Sequence, residues 1–386
     1  MAETMNMKEI NIETFSNEVK LDLEDENYDP MMGFGKSGIG KTMSIYEMTQ
    51  ELGIGFCELR LVTMSETDML GVPLITDSSR TTYASNDLLP NEARDGKRGV
   101  LVLDEITSCS RTLRAAAYQL LDSKRALGNY KLPDQWKVIA LGNGLDDGGV
   151  FEGMEAAFLS RAFCYRIEPD FACWKKWAIA NNVNPAIVAY LTFDKEKLHV
   201  FDPDDPVGLF PCPRSWVALS KKLNSREKRN NGEKLPSEIV ELYAAGAVGE
   251  AACAGFAAFY EYKEETVSPD DILSGKVKGN IIANKREEVM YLIVQQVVKQ
   301  MNMELEKERK GTAQYTEKAI KRTANAVRWF IEASEIKLDA GVTGLRDLME
   351  GSKYFQEITT LCPEFDEECP ELVQFAVDHS LVFEVG

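Results

Sequence analysis

The sequence predicts an α/β fold, a parallel sheet flanked by helices, joined to an α-helical lid domain and a helical C-terminal extension. Three observations predict it. Gly35-Lys36-Ser37-Gly38-Ile39-Gly40-Lys41-Thr42 fits the pattern G-x-x-x-x-G-K-[ST] in full, with an apolar run from Pro30 to Phe34 before it and helically spaced Ile45, Met48 and Leu52 after it. Gly99-Val100-Leu101-Val102-Leu103-Asp104-Glu105 is a continuous apolar run of the kind buried on both faces of a sheet, with two acids at its C-terminal end. Beyond Ser274 the pattern changes to helical stripes: Val289, Ile293 and Val297, then Ile320, Ala324, Val327 and Ile331.

Taken in order, residues 1 to 30 crowd Glu18, Asp22, Glu24, Asp25, Glu26 and Asp29 before the first strand and read as a solvated lead-in. Phe15, Val19, Leu21 and Leu23 are its candidates for packing beside the glycine loop. The loop itself has a mechanical reading. Its glycines let backbone N–H groups curl round a polyphosphate, Lys41 reaches the outer phosphates, and the Thr42 hydroxyl suits Mg²⁺. Phe56 to Val62 alternates and is rich in strand formers, so it predicts the second strand. Ser65 to Pro73 predicts a short helix ending at Gly71, and residues 74–99 predict an inserted hairpin with tips at Asp77-Ser78-Ser79 and Asp95-Gly96.

Ligands of open α/β sheets gather at the C-terminal ends of the strands, which gives Asp104 and Glu105 a task. Asp104 would hold the Mg²⁺ shell, and Glu105 would polarise the water that attacks the γ-phosphate of a bound nucleotide. Leu113, Ala117, Leu120 and Leu121 predict the next helix, and Arg125 to Gln135 has the turn residues of a hairpin. Trp136 to Leu141 predicts another buried strand, ending in Gly142-Asn143-Gly144, where Asn143 would orient the attacking water. Asp170 to Leu198 reads as helices, followed by the loop Asp202-Pro203-Asp204-Asp205-Pro206. Trp216, Leu219 and Leu223 share a face of a helix that Pro213 can open. The basic run Lys221 to Lys234, interrupted by Asn230-Asn231-Gly232, reads as a solvated loop. Ala244 to Tyr260 reads as a closely packed buried helix, and Glu364 to Glu368 as an exposed acidic stretch.

With 386 residues the chain is long enough for two or three domains, placed at 1–168, 169–275 and 276–386. The start of the chain lacks a basic segment followed by an apolar core, and no stretch is apolar enough for a membrane, so a cytoplasmic location is expected. The eight cysteines are scattered without C-x-x-C spacing and are expected reduced and buried. His199 and His379, the two histidines, stand far apart, which argues against zinc hydrolysis and Ser-His-Asp chemistry.

The order of these pieces resembles the AAA+ ATPases, and within them the MoxR-like branch. The resemblance runs from Met31 to about Lys222 through the glycine loop, Leu101 to Ile106, Gly128 to Pro133, Ala140 to Asn143, Ala157-Phe158-Leu159-Ser160-Arg161 and Phe210 to Trp216. It implies that Asn143 is sensor 1, Arg161 the arginine finger offered to a neighbouring subunit, and Arg214 sensor 2 at the start of a lid helix. Arg166 and Arg111 are nearby rivals for the finger. Gly144 stands where a proline commonly follows the sensor Asn, and Ala162 separates Arg161 from Phe163 where Arg-Phe are usually adjacent. The resemblance further implies ATP and Mg²⁺ as cofactors, a homo-oligomeric ring, expected to be hexameric, and a protein client, one candidate having a von Willebrand factor A domain. A nucleic-acid motor or loader and a nucleotide-gated assembly protein are the alternatives.

Lys and Arg number 44 against 62 Asp and Glu, a net charge of −18, the reverse of the balance expected for a duplex-coating protein. Random duplex DNA is therefore expected not to bind at physiological ionic strength. Micromolar or tighter binding in an equilibrium titration, weakening with added salt, would overturn that expectation.

Overall fold

The structure, a computed structural model, describes residues 7–25, 30–77, 80–84, 87–144, 159–202, 208–311 and 314–379. Glu26 and Asp29, the Ser78-Ser79 tip, Ala157-Phe158 and Pro203 to Pro206 lie outside the described residues. The chain divides into two compact units, Met1–Asp170 with Phe201–Pro206, and Phe171–Val200 with Val207–Gly386.

The first unit runs β1 (Lys8–Ile10), α1 (Ile12–Glu24), β2 (Met31–Gly35), α2 (Lys41–Leu52), β3 (Gly55–Arg60), α3 (Glu66–Leu70), β4 (Pro73–Asp77), β5 (Arg80–Tyr83), α4 (Glu92–Asp95), β6 (Arg98–Asp104), α5 (Arg111–Leu121), β7 (Ala126–Leu127), β8 (Tyr130–Lys131), β9 (Gln135–Gly142) and β10 (Phe163–Ile167). Six strands make one sheet in the order β1-β10-β2-β9-β6-β3, every pair parallel. Successive side chains of a strand point to opposite faces. Met32, Leu101, Leu103, Val138 and Ala140 accordingly join a cluster with Leu113, Ala117 and Leu120 of α5. Met31, Val100, Val102, Ile139 and Leu141 join another with Phe15, Val19 and Leu23 of α1 and Ile45 and Met48 of α2. Covered on both faces, these strands have to be continuous apolar runs.

The solvated lead-in is corrected. Lys8–Ile10 pairs with Tyr165–Ile167 as an edge strand, and α1 buries Phe15, Val19 and Leu23 while Leu21 stays exposed. Asn11 caps α1, its side chain accepting the Thr14 N–H at 2.8 Å. The second strand ends at Arg60 instead of Val62, the chain turning there into a 3₁₀ segment, Leu61–Thr63. Inserted β4 and β5 form an antiparallel hairpin, and β7 and β8 form another. The two hairpins meet, with Asn129 donating to the Thr82 hydroxyl and Gly128, at φ 58°, against the Tyr83 ring. Arg125 donates to the Asp134 carbonyl at 3.0 Å and the Pro133 carbonyl at 3.2 Å, and to the Trp136 carbonyl, so the second hairpin is fastened to the start of β9.

The second unit is helical: α6 (Phe171–Ala180), α7 (Pro185–Phe193), α8 (Pro213–Arg229), α9 (Ser237–Val248), α10 (Glu250–Glu261), α11 (Pro269–Leu273), α12 (Glu287–Gly311), α13 (Glu317–Ile336), α14 (Leu338–Gly351), α15 (Lys353–Leu361), α16 (Pro363–Glu368) and α17 (Glu371–Asp378). The expected extension and most of the expected lid fall within it, residues 169–170 and 201–206 going with the first unit. One apolar cluster gathers Trp174, Tyr190, Trp216 and Phe256, a second gathers Val297, Val327, Trp329 and Phe330, and α12 gives Leu292 to the first and Ile293 to the second. The single helix expected over Ala244–Tyr260 is two, broken at Gly249, whose φ of 81° suits glycine and where an added Cβ would lie 2.4 Å from the Leu209 carbonyl oxygen. The run from Lys221 is no loop as far as Arg229, but the last turns of α8. Glu364 to Glu368 likewise lies in α16, which buries Phe365 between its acids.

All eight cysteines are free thiols, but Cys57, Cys164, Cys173 and Cys362 are half-buried where burial was expected. No helix among the described residues is long and apolar enough to cross a membrane. Trp216 is fully buried against the rings of Tyr190 and Phe256. Trp216→Ala is expected to cost about 3–5 kcal/mol in chemical denaturation, and a loss below about 1 kcal/mol would show that this cluster does not hold the unit together.

Candidate functional site

Parallel pairing puts the C-terminal ends of β2, β9 and β6 side by side, with β9 between the other two. Residues leaving those three ends are therefore neighbours, although far apart in sequence. From β2 the chain enters the glycine loop, where Gly38 and Gly40 take φ values of 79° and 97° that side-chain-bearing residues rarely adopt. Gly35 is needed for a different reason, since a Cβ there would lie 2.1 Å from the Ile167 carbonyl oxygen of β10. The loop ends at Gly40, the N-cap of α2, so the free N–H groups and positive dipole end of that helix face the concavity the loop makes.

Lys41 is buried at the first turn of α2, only 8% exposed. Its ammonium donates to the Gly35 carbonyl at 2.7 Å, the Lys36 carbonyl at 3.0 Å and Asn143 Oδ1 at 3.3 Å. The neighbouring Thr42 hydroxyl donates to Asp104 Oδ2 at 2.9 Å. The other Asp104 oxygen, Oδ1, accepts the Glu105 N–H at 2.9 Å. Glu105 has φ 57°, a left-handed conformation that costs a non-glycine residue about 1–2 kcal/mol. Such a backbone persists only where its surroundings hold it, and here they do. The Ile106 N–H donates to the Leu141 carbonyl at 3.0 Å, and the buried Arg114 guanidinium donates to the carbonyls of Ile106 at 3.2 Å and Cys109 at 3.1 Å.

The sequence-predicted Gly35 to Thr42, Asp104, Glu105 and Asn143 thus come together at one edge of the sheet. Thr107 and Arg114, not foreseen, brace them. Thr107 Oγ1 accepts the Asn143 N–H at 3.1 Å, and Gly142 admits Thr107 because a Cβ would come within 2.7 Å of its methyl carbon. Neither residue has a signal in the pattern. Glu168 is a third, paired with Lys36 of the loop at 3.5 Å and Arg166 at 2.6 Å. It could have been found, because Phe163 to Ile167 alternates as a strand does and aims the next residues at this edge.

The arginines divide. Arg161 is exposed at the turn before β10, within electrostatic reach of Asp122 just past α5. The Ser123 N–H and hydroxyl hold the Asp122 carboxyl below the usual range, with Arg161 a smaller contributor. Arg111 is exposed at the first position of α5, whereas Arg166 lies within the sheet, committed to Glu168. Arg214 is exposed in the first turn of α8, in the helical unit.

Loop, sheet order and acid-bearing strand together define an α/β unit of the phosphate-loop type. No family model matches the sequence, and no curated protein matches it. Among solved structures, the chain is similar to a mutant of RuvB from Thermotoga maritima, with 14% identity over 71% of this chain and 82% of that one, at a TM-score of 0.35.

A cation at the centre of the cluster sets the first functional expectation. Lys41→Ala should lower the affinity for ATP by about 100-fold or more, measured by fluorescence titration with a labelled nucleotide, because a buried point charge facing phosphate is lost. Unchanged affinity would place the nucleotide elsewhere.

Proposed function

We propose that the chain is a Mg²⁺-dependent ATPase of the AAA+ type, nearest the MoxR-like branch, that assembles as a ring and remodels a protein partner. The observation that carries it is the hydrogen-bonded cluster Lys41–Asn143 and Thr42–Asp104–Glu105, which links three adjacent strand ends. The order of the sequence pieces supports the narrower class.

Thr42 Oγ1 and the Asp104 carboxylate are oxygen donors 2.9 Å apart, a set that fits a hard divalent cation. They would hold Mg²⁺, which supplies positive charge to phosphate oxygens when bound. Lys41, now on loop carbonyls and Asn143, would exchange those partners for phosphate oxygens. Asn143, its backbone fixed by Thr107, would orient the attacking water, and Glu105 would accept a proton from it. Arg161, exposed at its turn, would reach the site of the next subunit, where a guanidinium stabilises charge that develops on the transferred phosphoryl group. Arg214 would act from the lid as the second sensor. A protein bearing a von Willebrand factor A domain is the client class this reading favours.

Glu105 acts only when water attacks, so Glu105→Gln should keep ATP binding and lower turnover by about 100-fold or more. Wild-type turnover by that variant would remove Glu105 as the base.

A finger that acts in trans gives a second test. Arg161→Ala and Glu105→Gln subunits should each be nearly inactive, yet regain activity when mixed, because a Glu105→Gln subunit lends its arginine to an intact neighbouring Glu105. With equal amounts and random order about a quarter of interfaces are intact. Additive rates at every mixing ratio, with co-assembly shown by sedimentation, would exclude Arg161 and leave Arg111 as the exposed alternative.

A further inference from the structure

Helix α8 carries Arg214, Lys221, Lys222, Arg226, Lys228 and Arg229, all exposed, and a single acid, Glu227. At about 100° per residue the six cations fall within an arc of about 160°, opposite buried Trp216, Leu219 and Leu223. Glu227 is not on that arc. It faces inward, accepting from Tyr260 at 2.7 Å, Lys263 at 2.9 Å and Asn184 at 3.0 Å. Setting aside Arg214, the proposed second sensor, the five from Lys221 to Arg229 make a positive stripe about 12 Å long.

Among the described residues none of the six forms a salt bridge, in a chain whose net charge is −18. Elsewhere in the same unit Lys175, Lys234, Lys263, Arg309, Arg322 and Arg328 each hold a carboxylate. The helix dipole accounts for cations in the last turn, where Arg226, Lys228 and Arg229 lie. It does not account for Lys221 and Lys222 in mid-helix. Lys222 and Arg226 are moreover four apart, a spacing at which like charges repel.

We infer that this stripe is a docking surface for an acidic segment of a protein partner. The inference rests on the reading of a protein client and gives that client a chemistry. Cations on successive helical turns recur about every 5.4 Å, a spacing that carboxylates of a helical or extended acidic segment can follow. The surroundings favour carboxylates over nucleic acid. Tyr243, the aromatic beside the stripe, is occupied by Lys222 at 5.2 Å and Arg226 at 5.9 Å from its ring centre, so it is not open for the base stacking that single strands use.

The test titrates the full chain at low salt with a labelled short poly-glutamate peptide and, separately, with an oligothymidylate of equal charge. Lys221, Lys228 and Arg229 are replaced together, first by Gln and then by Glu, which leaves Lys222 and Arg226 on Tyr243 and Arg214 untouched. A cooperative thermal transition followed by circular dichroism reports that both variants are folded, which keeps this test apart from that of the ATPase reading, which stands or falls on Glu105. The peptide should bind the natural chain, weaken with added salt, and lose about tenfold in affinity in the Gln variant and more in the Glu variant. Tighter binding of the oligothymidylate, lost in the same variants, would overturn the inference in favour of nucleic acid. Binding of neither probe, or peptide binding untouched by charge reversal, would make the stripe a solvated face.

Discussion

Burying the Lys41 ammonium at the head of α2 is the constraint on which the first unit depends. A cation at a helix N-terminus faces the positive end of the dipole, so it has to be surrounded by oxygen. The oxygens come from Gly35 and Lys36, which the glycine loop turns inward, and from Asn143, which arrives on a different strand. That third contact is possible only because β9 lies between β2 and β6. Sheet order and lysine chemistry are thus one requirement seen at two scales.

Much of this was legible before the structure, for reasons that differ by element. The runs at 31–35, 99–103 and 138–141 declared themselves because a strand covered on both faces is apolar where it crosses the core. The loop and the acid pair declared themselves because few residue types can surround phosphate. By contrast β1 is three residues, Lys8-Glu9-Ile10, and is a strand only through its pairing with β10, which local composition does not report. α1 was hidden by its acids, although Phe15, Val19 and Leu23 recur at helical spacing. Glycine misled in the other direction at 249, where small residues on both sides looked like one helix and the close approach of Leu209 decided otherwise. Thr107 and Arg114 were out of reach because their roles are hydrogen bonds to main chain that only the folded turn presents.

The helical unit shows a different economy. Its two apolar clusters share α12, and between them Lys175 pairs with Asp347 at 2.7 Å while Gln295 donates to the other carboxylate oxygen at 2.5 Å. A buried pair of this kind adds little stability over a well-packed apolar substitute, but losing one partner leaves a charge stranded. It therefore fixes how α6, α12 and α14 meet more than how strongly they do. The same logic separates this interior from α8, whose exposed cations hold no carboxylate among the described residues.

The fastening of the second hairpin to β9 has a mechanical side. Arg125 grips the main chain at Pro133, Asp134 and Trp136, and β9 then runs without interruption to Gly142, beside Asn143. An extended strand is already near full length, at about 3.3 Å per residue, so it behaves as a strut that transmits axial load instead of absorbing it. The hairpin and the amide that touches Lys41 are the two ends of that strut, about 26 Å apart by strand rise. Its ladders to β2 on one side and β6 on the other hold β9 in register, so the hairpin and that amide keep a fixed separation.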